Sequence, residues 1–94
     1  MLSRLSPSAK VFMPLYYFHL RDGHDTLLDP DGRDLTGPDA IAQAALAEAR
    51  ALISEEARLG RIRLDQRIEV EDSGGRVVHR LSFDEAVEIT GRGR

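Results

Sequence analysis

Cysteine is absent from this 94-residue chain, Lys10 is its sole lysine, and its longest apolar runs are only a few residues long. Without cysteine there is no disulfide framework, no thiolate metal site and no cysteine nucleophile. The short apolar runs fall far below the roughly 20 residues that span a bilayer. Residues 1–12, which include Arg4 and Lys10, lack the continuous apolar middle of a secretory signal, so cytoplasmic residence is expected. Excess positive charge is also missing: 16 acidic residues face 13 basic ones, for a formal charge of −3. That balance disfavours a nucleic-acid binder, which needs a broad positive face. The near-total use of Arg over Lys reflects a GC-rich coding bias, because arginine function depends on clustering and geometry rather than on number.

A chain of this length makes one domain and buries only about 60–65% of its unfolded surface. Four of its five aromatic residues, Phe12, Tyr16, Tyr17 and Phe18, fall within seven positions, and three of them run into His19-Leu20-Arg21-Asp22-Gly23. Aromatic residues suit a pleated, half-buried surface and Asp-Gly supplies positive φ, so the segment is read as the first arm of a hairpin. Tyr16, Phe18 and Leu20 take the core face; Leu15, Tyr17, His19 and Arg21 take the other. Thr26-Leu27-Leu28 is the returning strand, ended by the turn Asp29-Pro30-Asp31-Gly32, after which Leu35 rejoins the core.

Thr36 is placed as the cap of a helix that starts with Pro38 and Asp39 and stops at Gly60. Ile41, Ala42, Ala45, Ala49, Leu52 and Ile53 form its apolar stripe, opposite Gln43, Arg50, Ser54 and Arg58. Arg67-Ile68-Glu69-Val70-Glu71-Asp72 alternates apolar with charged residues, as does a strand with one wet face. After Ser73-Gly74-Gly75 the chain returns with Val77, His79, Leu81 and Phe83 on one side and Val78, Arg80 and Ser82 on the other. Ser82 and Glu85 have capping-box spacing, which opens a short helix from Asp84 to Ile89.

No constellation demands catalysis, so the chain is not expected to be an enzyme and no cofactor is assigned. Six aspartates lie between Asp22 and Asp39 near His19 and His24. An EF-hand using Asp31 and Gly32 would need ligands at Leu27 and Pro38, so turns and helix capping account for these residues and no metal ligand is assigned. Glu69 and Glu71 are placed on the wet side of a strand, without the burial or close like charge that tunes a carboxylate for acid/base work. Arg58, Arg61, Arg63 and Arg67 form the densest basic group, but no aromatic residue lies between Phe18 and Phe83 to stack a base.

The ordered series Met13-Pro14, Tyr16-Tyr17-Phe18-His19-Leu20-Arg21-Asp22-Gly23, Asp29-x-Asp31-Gly32, an Ala-rich helix, Arg67-Ile68-Glu69-Val70 and Gly75-Arg76-Val77 resembles the DUF6894 family of short, mostly alphaproteobacterial proteins. The resemblance covers residues 13–89 and implies a fold and a bacterial cytoplasmic setting, with no activity to carry over. The chain departs from the family in the residues before Met13 and in His79, where a small apolar residue is usual. Its hairpin, helix, hairpin order is also similar to the partly degraded RNase H-like domain of HicB antitoxins, which implies a small toxin as an alternative partner.

The fold expected is therefore α+β: two β-hairpins forming a four-stranded antiparallel sheet, one long helix on one face, and a short C-terminal helix. Residues 13–90 form the single domain, 1–12 a flexible arm and 91–94 a frayed tail; Met13 is read as a second start. One helix leaves a sheet face open, and Tyr17, His19, Arg21, Val78 and Arg80 are its interaction candidates. A non-catalytic interaction or regulatory module is expected, with a homodimer or protein partner and neither nucleic acid nor membrane. A small metal- or ligand-binding protein is a further alternative.

Overall fold

Residues 14–91 are described by a computed structural model. The expected arm 1–12, the start at Met13 and the tail beyond Gly91 lie outside them. Strand β1 (Leu15–Asp22) reverses at Gly23, which sits at φ 61°, and returns as β2 (Asp25–Leu27). β2 pairs only with Leu20–Asp22. The chain then leaves the sheet and rejoins it as a two-residue strand, β3 (Arg33–Asp34), paired with Leu15 and Tyr16. The sheet thus has five strands where the sequence predicts four. Pro30 has no N–H to give to a ladder and Gly32 adopts φ 75°, so residues 28–32 loop out between two short strands on one edge.

Asp29 closes the gap this leaves. Its carboxylate accepts the N–H of Phe18 at 3.1 Å, in the place a strand carbonyl would take, and also those of Asp31 and Gly32 at 3.1 and 3.2 Å. Burial works to raise its pKa, but the three backbone N–H groups and the charge of Arg33 bring it below the ordinary value.

Helix α1 (Pro38–Arg58) begins one residue later than a Thr36 cap requires. Proline favours an extended residue before it, so Gly37 takes the cap position and makes no side-chain cap bond. At the other end Gly60, at φ 96°, donates to the carbonyl of Ala57 while Arg61 donates to that of Glu56, a Schellman stop. Ile41, Ala45, Ala49 and Ile53 are buried at four-residue spacing; Leu52 is only half-buried. The small alanines let the helix lie close to the sheet.

Strands β4 (Gln66–Asp72) and β5 (Val77–Ser82) complete the antiparallel order β2–β1–β4–β5. Asp72 ties their turn by accepting the N–H groups of Gly74 and Arg76. A bulge interrupts the pair: Val70 faces His79 while Glu71 faces Val77, leaving Val78 as the extra residue. Ser82 and Glu85 form the expected capping box, but helix α2 (Phe83–Ala86) stops before Ile89 because Val87 is extended. Ile68, Val70, Phe83, Ala86 and Phe18 join the α1 stripe in one core. Burying Ile68, Val70 or Phe83 contributes about 1.5–3 kcal/mol each. Among the described residues no helix is long and apolar enough to cross a membrane.

Candidate functional site

Both helices lie on the Phe18, Ile68 and Val70 side of the sheet, so among the described residues no layer covers the other side. Antiparallel pairing sets nine side chains of this open face in three rows across β1, β4 and β5: Tyr17, Glu71 and Val77; His19, Glu69 and Arg80; Arg21, Arg67 and Ser82. Glu69 occupies the centre. Three guanidinium groups converge on it: Arg21 Nε reaches Oε1, and Arg67 Nε and Arg80 Nε each lie 3.0 Å from Oε2.

This arrangement corrects the expectation that Glu69 is wet: its side chain is 8% exposed, covered by the arginines rather than by a second layer. Burial alone would raise the Glu69 pKa. Hydrogen bonds from Arg21, Arg67 and Arg80, with the charge of Arg21, overcome that and lower it from 4.5 to about 2. Arg21 also contacts Glu71 and donates to Thr26 Oγ1 at 2.9 Å.

His19, expected on a solvated face, is likewise buried. Its Nδ1 accepts the N–H of Asp29 at 3.1 Å, which places the proton on Nε2, 3.3 Å from Glu71 Oε1. The ring stacks with Tyr17 at an interplanar angle of 17°. Tyr17 in turn lies against Gly32, where a Cβ would meet its Cε2 at 2.9 Å. Tyr17, His19, Arg21 and Arg80 are therefore brought together on one face. Val78 is not: the bulge turns it to the helix side, where it lines a cleft of about 200 Å³ with Tyr16, Pro38, Ile41 and His79. Val77 takes the open-face place expected for Val78. Arg67 was missed as a site residue because its sequence neighbours Arg61 and Arg63 suggested a different cluster. Those two pair with Glu56 at 2.8 and 3.5 Å, and Arg63 also with Asp22 at 3.0 Å, so acidic partners divide this group at the helix end.

A larger cleft of about 610 Å³ opens on the other side, between α1 and residues 27–33, walled by Phe18, Leu20, Leu28, Leu52 and Ile68. Three of its four charged side chains are engaged locally. Asp29 holds backbone N–H groups, while Arg33 lies 4.4 Å over the Phe18 ring and pairs with Glu48 at 2.7 Å. Among the described residues no group of three or more His, Asp or Glu side chains could hold a metal ion.

An open antiparallel sheet, one long helix and an arginine-clad face define a small α+β domain. The chain belongs to the DUF6894 family, a domain of unknown function, whose match covers residues 15–84. No curated protein and no solved structure matches it.

Proposed function

We propose that the protein is a non-catalytic interaction module, resident in the cytoplasm, whose working surface is the open sheet face. One observation carries this: Arg67 and Arg80 are held in place from beneath by Glu69 yet remain 41% and 65% exposed. Fixing a long side chain before a partner arrives reduces the ordering cost of binding. The 610 Å³ cleft is the weaker candidate because Asp29, Arg33 and Glu48 of its charged lining are already engaged within the chain.

The test is capture from the native host with a photo-reactive residue placed at Arg80, compared with one placed at Ser54 on the far face of α1. Specific cross-links at position 80 that an added Arg67→Glu substitution removes are expected. Equal labelling from both positions would remove the open face from consideration. Sedimentation of the purified protein separates the two kinds of occupant. A dimer that an Arg67→Glu, Arg80→Glu double variant dissociates assigns the face to a second copy, and a monomer assigns it to a different protein, of which a small toxin would be one example.

A further inference from the structure

We infer that the open face docks a protein segment presenting carboxylate side chains, which seats between Arg67 and Arg80. This rests on the interaction role proposed above and specifies the partner's chemistry. Both guanidinium groups use Nε alone, and both use it on the same oxygen of Glu69. Among the described residues neither makes another side-chain hydrogen bond, so both terminal NH₂ groups of each remain available. An arginine whose Nε is held while its terminal nitrogens are free is oriented to give paired, parallel donors to an oxyanion. Two such groups, anchored on neighbouring strands and converging on one atom, form a twin fork.

The charge of the face agrees. Arg21, Arg67 and Arg80 stand against Glu69 and Glu71, three positive groups against two negative, so one positive charge is in excess where the whole chain carries −3. That mosaic selects against nucleic acid. A continuous phosphate backbone crossing the forks would meet Glu71 and the acidic remainder of the molecule, whereas a protein segment can place carboxylates at the forks alone. Tyr17 and Val77 border the forks and supply apolar area for the rest of such a segment.

In this arrangement Glu69 is a positioning residue. It touches no ligand, and its charge opposes binding while its geometry promotes it. Glu69→Gln therefore separates the two effects. If attraction were a matter of net charge, removing a negative group would tighten the binding of an acidic probe. If the forks must be held, binding weakens.

The experiment is fluorescence anisotropy of the full chain with a short labelled peptide of alternating Glu and Ser, its Gln-for-Glu counterpart and a single-stranded oligonucleotide. The Glu peptide is expected to bind at least about tenfold more tightly than the Gln peptide and the oligonucleotide. Arg67→Ala and Arg80→Ala should each weaken it about threefold to tenfold, Glu69→Gln should weaken it as well, and Arg50→Ala should leave it unchanged. Arg80 is exposed enough that its variant keeps the fold, and a thermal melt checks the Glu69 variant. Equal binding of the Glu and Gln peptides, tighter binding by Glu69→Gln, or preference for the oligonucleotide would each overturn the inference. Should the peptide fail while cross-links from position 80 still trap a protein, the interaction role stands and the carboxylate chemistry is wrong.

Discussion

Single residues in this domain stand in for missing structure. Asp29 replaces a stretch of strand by accepting the Phe18 N–H, and Glu69 replaces a covering layer by gathering three arginines over itself. Gly32 is the tightest glycine, because it combines φ 75° with a Tyr17 ring that an added Cβ would meet at 2.9 Å. Gly32→Ala should cost about 1–3 kcal/mol, from left-handed strain plus displacement of Tyr17. Gly23 has a similar φ of 61° but open space around it, so Gly23→Ala should cost about 1 kcal/mol or less. Urea unfolding of the two variants gives the comparison. Equal midpoints would mean that Tyr17 does not depend on Gly32.

At the scale of elements, the bulge in β5 and the ends of α1 matter most. Strict alternation reads Val78 onto the open face, but one extra residue reverses the parity of what precedes it, and only the pairing with β4 reveals where the extra residue lies. Likewise the stripe of α1 is plain in the sequence, yet it does not say which of Leu52 and Ile53, on its two flanks, is the better covered. The helix sits toward β4 and β5, so Ile53 is covered at 8% exposure while Leu52 rims the cleft. Ile53→Ala should therefore cost about 2–5 kcal/mol and Leu52→Ala clearly less. Arg50, on the wet side, donates Nε to the carbonyl of Ala86 at 2.8 Å and joins α1 to α2. Its replacement by Ala should cost about 0.5–1.5 kcal/mol. Chemical denaturation ranks the three, and a Leu52 loss matching that of Ile53 would contradict the helix placement.

For the whole molecule, acid is the condition that reads the open face. The folded state holds Glu69 at about 2 against 4.5 when unfolded, so the unfolded chain binds the proton more readily. The contribution is thus fully present above pH 4.5 and is lost as pH falls toward 2. Its size is on the order of 3 kcal/mol. Asp29, also lowered, adds to the same fall. Urea unfolding across this range should show stability declining steeply for the wild type and less so for Glu69→Gln; identical slopes would mean that the arginines do not hold Glu69 in solution. His19 links this face to the opposite side, since its Nδ1 anchors Asp29 on the rim of the larger cleft.

Element types and their order apart from the two-residue β3, the helix stripe, the turn glycines and the Ser82 capping box follow from local periodicity and backbone preference, and so were legible in the chain. Four of the five candidate face residues also follow from the period of two in β1 and β5. Which Glu is buried, which Arg covers it, where Val78 points and why His19 is sheltered depend on register between strands far apart in sequence. Glu69 meets Arg21 across 48 residues, a separation at which no local pattern carries information. Cross-strand pairing alone turns an alternating charged strand into an ordered arginine cluster.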